Sequence, residues 1–285
     1  MLKQRVITAV VLLALLLPTL VVTASWPFAL FVAVTMAAAG WEWARLNGLP
    51  GWPAWGFGAA LVFVGASLHA QALSGVAASV WPAGVACAWV LGGSWALRGA
   101  APAWAALPSA LRWLLGPVVL LPAGWALLAW KGQGLNALLS VLCLVWVADV
   151  AAYFAGRRFG RRKLAPAISP GKSWEGVWGG MAGVLTLAFV WVTWIDPVLA
   201  AQHGVSLYGQ LQAAWGWPIA GLALLSLAAL SVVGDLFESL LKRAAGAKDS
   251  SQLLPGHGGV LDRIDALLPV LPAAWALVTL AQRWV

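Results

Sequence analysis

Charged side chains are scarce in this chain of 285 residues, and most of them fall in two stretches of its second half. In one stretch, four polar residues follow the spacing i, i+3, i+4 and i+7, which predicts one stripe of a helix: Asp235, Glu238, Ser239 and Lys242. Mg²⁺ takes one or two carboxylates together with phosphate oxygens, while Lys and Arg neutralise the remaining charge. An acidic stripe beside basic residues therefore favours the binding of a metal-bound polyphosphate.

A second acidic face is predicted at Asp262 and Asp265, which are three residues apart. Carboxylates from two separate helices could then meet at one metal site. The residues leave another interpretation open, in which Asp262 pairs with Lys242 or Arg263 only to hold helices together.

A glycine-rich segment, Pro255-Gly256-His257-Gly258-Gly259, precedes these acids. It predicts a tight loop with an exposed backbone, because glycine tolerates positive φ and lets a ligand approach closely. His257 could bind a phosphate or transfer a proton there, whereas a lone histidine in a loop is more often only solvated.

The other charged stretch begins at Asp149 and Tyr153, which are four residues apart and are expected to face one cavity. The basic cluster of residues 157–163 follows, and it suits either phosphate binding or an anchor that touches anionic lipid headgroups.

The same stretch contains Gly171-Lys172-Ser173, a sequence similar to the end of a P-loop. A true Walker A motif is excluded, because Pro166 stands where that motif requires glycine. A Gly-Lys-Ser turn that enters a helix can still offer backbone N–H groups and an ammonium to a phosphate.

The elements that carry these residues must be mainly apolar, since 62% of the chain is hydrophobic and only 9% is charged. Such a composition excludes a soluble globular domain and a disordered chain. A membrane-spanning helix needs about 20 apolar residues. The sequence predicts an all-α polytopic membrane protein with about nine such helices, near residues 6–24, 26–44, 54–73, 76–97, 111–130, 135–155, 176–195, 217–238 and 266–282. The first run is longer than the apolar part of a signal peptide, so a retained helix is expected.

Basic residues predict the orientation of these helices, because short cytoplasmic loops collect Lys and Arg. With the N-terminus in the cytoplasm, only Lys131 and Arg283 of the 17 basic residues fall outside, which leaves 15 inside. All acids except Asp196 map to the same side. We therefore expect a protein of the inner (cytoplasmic) membrane whose charged loops face the cytoplasm. Its net charge of +8 is then explained by this topology and by the binding of anionic small molecules, and not by the binding of nucleic acid.

The chain is expected to divide into residues 1–130, a scaffold of transmembrane helices, and residues 131–285, a catalytic region with motif loops 156–175 and 239–265. Only Glu42 among the acids lies in the first part, so the chemistry is expected in the second. A homodimer is left open, with the first-part helices as its candidate interface.

Three stretches of the second part have many fixed polar positions: Asp149-x-x-Ala-Tyr153, Ser169-Pro-x-Lys172-Ser173-x-Glu175-Gly176, and above all Ser239-x-Leu241-Lys242-Arg243-x4-Lys248-Asp249-x-Ser251-x2-Leu254-Pro255-Gly256-His257-Gly258-Gly259-x-x-Asp262-Arg263-x-Asp265. With these motifs, the second part resembles the phosphatidate cytidylyltransferases, also called CDP-diacylglycerol synthases. The resemblance covers roughly residues 130–285, while the first part matches only as apolar helices. One departure is Ala266, where many relatives have Ser.

The resemblance implies transfer of a cytidylyl group from CTP to phosphatidic acid, with Mg²⁺ and, in a paired metal centre, K⁺. It implies metal ligands at Asp235 and Asp262, to which the acidic faces add Glu238 and Asp265. The residues expected to take part in catalysis are Asp235, Asp262, Lys242, Arg243 and Lys248. Those expected to bind substrate are Asp149, Tyr153, Lys172, Ser173, Glu175, Ser239, His257, Gly258 and Arg263.

Two other classes of membrane protein share part of this pattern. A transporter or channel predicts acids near mid-membrane and broken helices in both halves of a repeat, whereas the acids here cluster at one face of the second part. A CTP-dependent polyprenol kinase, or a cytidylyltransferase for another lipid phosphate, shares the expected loops. The long signature favours the phosphatidate enzymes.

Overall fold

A computed structural model describes residues 2–72 and 74–283, without the side chains of residues 2, 3, 5, 70, 72 and 75–79. Val285, which the predicted topology places outside, is not among the described residues, and neither are the side chains of Lys3 and Arg5. The helices are α1 Leu2–Val21, α2 Trp26–Leu46, α3 Trp52–Ala72, α4 Gly75–Ala88, α5 Ser94–Ala106, α6 Ser109–Gln133, α7 Leu135–Phe159, α8 Trp174–Val190, α9 Asp196–His203, α10 Leu207–Ala244, α11 Leu261–Ile264 and α12 Leu267–Ala281. Single π-helical turns, Trp89–Gly93 and Trp191–Ile195, join α4 to α5 and α8 to α9.

The helices confirm an all-α polytopic membrane protein. In the described part of the chain, seven helical segments are long and apolar enough to cross a bilayer: Trp26–Leu46, Val80–Ala106, Ser109–Gln133, Leu135–Phe159, Trp174–His203, Leu207–Ala244 and Leu261–Ala281. The remaining two predicted runs also coincide with helices, namely α1, whose apolar part Val6–Val21 is shorter, and α3.

A two-stranded hairpin between α7 and α8 departs from the purely helical prediction. Strand β1 (Lys163–Ala165) pairs antiparallel with β2 (Ser169–Ser173), with Lys163 opposite Ser173. Pro166 and Pro170 disfavour a helix here, since proline lacks the N–H that a helix interior needs. The motif loop expected from residue 156 therefore begins only after Phe159, where α7 ends.

Small residues pack α7 tightly against α8. A Cβ atom on Gly180 would lie 2.8 Å from the carbonyl oxygen of Ala148, and one on Gly183 would lie 2.7 Å from Cβ of Ala151. Glycine at such positions lets two helix backbones approach closely within a membrane, where packing rather than the hydrophobic effect holds helices together. This seam brings the C-terminal half of α7 beside the first turn of α8.

A backbone kink divides α10 into two segments. Gly216 has φ +69°, and Pro218 follows inside the helix. Proline removes a helical hydrogen bond, and glycine accepts the left-handed conformation. The second segment, from residue 217 to 244, begins where the sequence predicts a span and carries Asp235 through Lys242 on continuous helix.

Aromatic side chains join the two parts of the chain. Phe237 of α10 packs edge-on against Trp89 and Trp104, with ring centroids 5.3 Å apart in both pairs. Trp43 of α2 stacks on the same phenyl ring at 6.2 Å and donates a hydrogen bond from Nε1 to the Arg112 carbonyl oxygen. Residues 1–130 therefore share one hydrophobic core with the second part. The expected division at residue 130 stays a prediction about function.

Candidate active site

A polar cavity of about 700 Å³ opens at one end of the helix bundle. Its walls come from the C-terminal half of α7, the hairpin, the start of α8, the second segment of α10 and the segment from Asp249 to Asp265. Five carboxylates and four basic groups line it: Asp149, Asp235, Asp249, Asp262 and Asp265, with Arg157, Lys172, Lys242 and Arg263. Both motif stretches of the sequence thus meet in one cavity.

Asp262 is held in a single orientation by groups of its own loop. Its Oδ2 atom accepts hydrogen bonds from the Ser250 N–H at 2.9 Å, the Ser250 hydroxyl at 2.7 Å and the Gly259 N–H at 2.8 Å. Its Oδ1 atom lies 2.6 Å from Nζ of Lys242. Because Oδ2 is saturated with donors, a ligand or a cation can reach only Oδ1, where it would take the place of Lys242.

Gly258 fits closely against this carboxylate. Its φ is +80°, which favours glycine, and a Cβ atom on it would lie 2.7 Å from Oδ2 of Asp262. Gly258 therefore acts on the shape of the loop around Asp262, and it does not itself line the cavity.

Asp235 pairs with the lysine of the Gly-Lys-Ser turn. Nζ of Lys172 lies 2.7 Å from Asp235 Oδ2, and Ser239 donates to Asp235 Oδ1 at 3.4 Å. The hairpin thus carries its lysine across the cavity to α10. Asp265 lies beside this pair in the cavity wall, where its Oδ1 accepts the Ala266 N–H at 2.8 Å.

Residues of the helical stripe predicted at 235–242 differ in their access to the cavity: Asp235 and Lys242 line it, whereas Glu238 does not. Glu238 is 1% exposed, and its Oε2 lies 2.5 Å from Nζ of Lys242, which also contacts Asp262. Glu238 lies behind Lys242 and does not line the cavity. Lys242 therefore stands between Glu238 and the open space, and Glu238 reaches a ligand only through this lysine.

Three other predicted substrate-binding residues line the cavity. Asp149 and Tyr153 face it from α7, and Arg157 Nη1 lies 3.3 Å from the Tyr153 hydroxyl oxygen. Ser173 caps α8 by accepting the Gly176 N–H at 3.2 Å. Gly176 and Val177 of the first turn of α8 also line the cavity, so the positive end of this helix lies at its wall, an arrangement that suits an anion.

Four more predicted site residues do not line the cavity, and three of them take part in hydrogen bonds that hold the surrounding backbone. Glu175 accepts the N–H groups of residues 161 and 162, which fixes the start of the hairpin. Arg243 donates to the carbonyl oxygens of residues 168 and 247. The backbone oxygen of His257 accepts from the Arg263 guanidinium, and Lys248 is exposed.

The donor set fits a hard divalent cation that is held jointly with phosphates. Carboxylate oxygens are the ligands that Mg²⁺ prefers, and it commonly keeps one or two of them plus substrate phosphates. Within the described residues no group of three or more His, Cys, Asp or Glu side chains is arranged as a complete metal site. Five carboxylates against four basic groups leave the lining at a formal charge of −1, so a polyphosphate needs additional cations to enter.

The sequence prediction missed three residues. Asp249 and Arg157 line the cavity; the first lies inside the long signature and the second in the basic cluster. Glu42, for which the sequence predicts no role, is fully buried against the loop of Asp262. An acid within an apolar helix is a functional candidate by default, and that signal could have singled it out.

Comparison with known proteins covers the whole chain. A family model described as "Cytidylyltransferase family" matches residues 3–281. A Pseudomonas aeruginosa protein named phosphatidate cytidylyltransferase is 40% identical over 98% of this chain and 97% of its own length. Proteins of the same name from Haemophilus influenzae and Thermotoga maritima are 51% and 42% identical over 49% and 52% of this chain, covering 44% and 50% of their own lengths.

Proposed function

Because this chain belongs to the cytidylyltransferase family, we propose that it transfers the cytidylyl group of CTP to phosphatidate, giving CDP-diacylglycerol and pyrophosphate. The observation that carries the proposal is the full-length similarity to a protein named for this activity, together with a charged cavity at one end of an apolar bundle. Phosphatidate reaches such a cavity laterally from the bilayer, while CTP enters from water.

The reaction is an in-line displacement at phosphorus. A phosphate oxygen of phosphatidate forms a bond to the α-phosphorus of CTP, and the bond between that phosphorus and the bridging oxygen to the β-phosphate breaks. Pyrophosphate leaves with the bond electrons. The lipid phosphate is already an anion at neutral pH, so no strong general base is required. Positioning and charge neutralisation supply most of the catalysis.

Basic groups of the cavity neutralise the phosphates of both substrates. Lys172 comes from the hairpin and Lys242 from α10, and both line the cavity together with Arg157 and Arg263. In the free enzyme both lysines are paired with Asp235 and Asp262. We propose that they exchange these partners for phosphate oxygens when substrate binds.

Mg²⁺ is the proposed cofactor, with K⁺ as a candidate for a second position. Asp235 and Asp262 would be the principal ligands and Asp265 a neighbour of the site, while Glu238 would act through Lys242. When bound, Mg²⁺ withdraws charge from the phosphates and stabilises the leaving pyrophosphate. Oδ1 of Asp262, whose partner is the Lys242 ammonium, and the net charge of the lining support this assignment.

We also propose nine crossings, with the N-terminus and the cavity on the cytoplasmic side of the inner membrane. Thr8, near the start of α1, donates to the Pro255 carbonyl oxygen at 2.9 Å. At the other end of the bundle, Nζ of Lys131 donates to the carbonyl oxygen of Leu20. These contacts support a crossing by α1, and the basic residues around the cavity support its cytoplasmic side.

A homodimer through the helices of residues 1–130 remains a proposal from the sequence. Crosslinking of the protein in native membranes tests it, because a dimer gives a band at twice the chain mass.

The function is tested with purified protein in phosphatidate-containing vesicles, supplied with CTP and Mg²⁺. We expect CDP-diacylglycerol and pyrophosphate in equal amounts, and neither product when phosphatidate is replaced by diacylglycerol or a polyprenol. Formation of polyprenyl phosphate and CDP from a polyprenol would contradict the proposal. So would the absence of CDP-diacylglycerol when phosphatidate is supplied with any divalent cation.

A further inference from the structure

Glu42 lies far from the cavity residues in sequence but contacts the loop that holds Asp262. It is fully buried near the C-terminal end of α2. Its Oε1 accepts from the Ser251 hydroxyl at 2.6 Å and the Val260 N–H at 2.9 Å. Its Oε2 accepts from the Leu261 N–H at 2.6 Å and the Ser250 hydroxyl at 3.1 Å.

We propose that Glu42 is a positioning residue for the reaction, which fixes the segment from Ser250 to Leu261 so that Asp262 presents Oδ1 to the cavity. This inference rests on the proposed function and adds a residue from the first part of the chain to its machinery. Glu42 touches no cavity surface and acts only through the loop.

The charge of Glu42 is balanced by this loop alone. Among the described side chains, no Lys, Arg or His nitrogen forms an ion pair with it. A buried carboxylate is costly unless hydrogen bonds replace its water, and here three donors and the Ser250 hydroxyl, which it shares with Asp262, do so. All four belong to residues 250–261, so folding of the loop onto α2 and burial of the carboxylate depend on each other.

Ser250 connects the two carboxylates. Its hydroxyl lies 3.1 Å from Glu42 Oε2 and 2.7 Å from Asp262 Oδ2, and its single proton serves one of them at a time. Its backbone N–H donates to Asp262 as well. A shift of Ser250 therefore changes two of the three donors that hold Asp262 Oδ2.

Gly259 packs so closely against Glu42 and Ser250 that no side chain fits at its position. A Cβ atom there would overlap both the Ser250 hydroxyl oxygen and Oε1 of Glu42. The N–H of the same glycine is the third donor to Asp262. The loop backbone is therefore held directly between the two acids.

The test compares Glu42→Gln with Asp196→Asn, a matched change at the other end of the bundle. Asp196 is also a buried carboxylate, and it accepts the Ser206 hydroxyl at 2.6 Å and the Asn136 amide at 2.8 Å. In each variant an amide –NH₂ faces donors that the carboxylate satisfied. Hydrogen exchange of peptides covering residues 249–264 is measured without substrate, and kcat and KM are measured per folded protein.

We expect Glu42→Gln to speed exchange in residues 249–264 and to lower kcat about 10- to 100-fold, the usual effect of losing a group that orients a ligand residue. KM for CTP should change less than kcat. Asp196→Asn should lower the melting temperature and leave both the exchange of that peptide and kcat unchanged.

Wild-type kcat in Glu42→Gln overturns the inference, whether or not its melting temperature falls, because only a structural role would then remain. If Glu42→Gln does not fold, Ser251→Ala removes one of the four donors and should give the same two changes at smaller size; a wild-type result there also overturns the inference. A wild-type enzyme that makes no CDP-diacylglycerol refutes the proposed function instead, and the exchange experiment still tests the contact.

Discussion

Asp262 can offer one oxygen to a ligand, because three donors occupy the other. A carboxylate restrained in this way pays little conformational entropy when it binds a cation, since its rotamer is already fixed. Asp235 is less restrained, with an ion pair to Lys172 and a long hydrogen bond from Ser239. The two acids are therefore expected to make different contributions to the same site.

Replacement of either acid by Asn should abolish nearly all activity. Asp262→Asn and Asp235→Asn keep the side-chain size but remove the charge, and a loss of at least about 100-fold in kcat is expected from lost electrostatic stabilisation. Turnover in phosphatidate vesicles measures the effect, with membrane insertion checked in parallel. Near wild-type turnover in either inserted variant would contradict a shared site.

Gly258→Ala should reduce activity through the position of Asp262. The alanine Cβ would meet Asp262 Oδ2, and φ of +80° adds strain of about 1–2 kcal/mol. Gly216→Ala is the matched control, because its φ is +69° but the nearest atom to its Cβ is 3.9 Å away. We expect both variants to lose thermal stability and only Gly258→Ala to lose turnover. Equal turnover in the two variants would contradict a role of Gly258 in positioning Asp262.

Polar residues that stand together in a motif could be recognised from the sequence, whereas Glu42 is the only acid of α2. Asp235, Lys242 and Asp262 could be identified because helical spacing and a long signature place them together. Glu42 contacts residues more than 200 positions away, and no local pattern encodes such a contact. For the same reason, the burial of Glu238 behind Lys242 could not be read from a stripe that shows only which side chains share a face.

Among the elements, α7 and the start of α8 form neighbouring parts of the cavity wall and meet along a close seam. Asp149 and Tyr153 lie on one side of it and Ser173 on the other. Apolar length predicted both helices, but not how closely they approach, because that depends on which glycines face the neighbouring helix. The hairpin escaped prediction because its strands are only three and five residues long.

Gly180→Ala should separate these helices. Its Cβ would lie 2.8 Å from the backbone oxygen of Ala148, which cannot move without α7. We expect a loss of about 1–3 kcal/mol in stability, as for other overpacked sites, together with reduced turnover. Gly84→Ala in α4 meets no atom within 4 Å and should be neutral or slightly stabilising. Melting curves in detergent test both, and a neutral Gly180→Ala would contradict the close seam.

Across the whole molecule, two buried polar clusters lie at opposite ends of the bundle. One surrounds Glu42 and Asp262. The other joins Asp196, Asn136 and Ser206, and Ser206 also caps α10. The topology predicted from the sequence places Asp196 on the opposite side of the membrane from the other acids. In the structure, its contacts lie at the end of the bundle away from the cavity.

The proposed orientation is tested by cysteine labelling after Cys87 and Cys143 are replaced by alanine. Single cysteines are then introduced at two exposed positions. Ala167→Cys is on the hairpin, and Gln202→Cys is in α9 at the other end of the bundle. In right-side-out vesicles, an impermeant maleimide should label position 202 at once and position 167 only after the membrane is opened. Immediate labelling of position 167 would reverse the topology.

The proposed reaction transfers the α-phosphorus of CTP to the lipid, and an experiment with two labels tests this directly. The enzyme is supplied with phosphatidate, Mg²⁺ and CTP labelled at either the α- or the γ-phosphorus. We expect the α-label to enter the lipid product and the γ-label to leave in pyrophosphate. A lipid carrying the γ-label would instead reveal a kinase and contradict cytidylyl transfer.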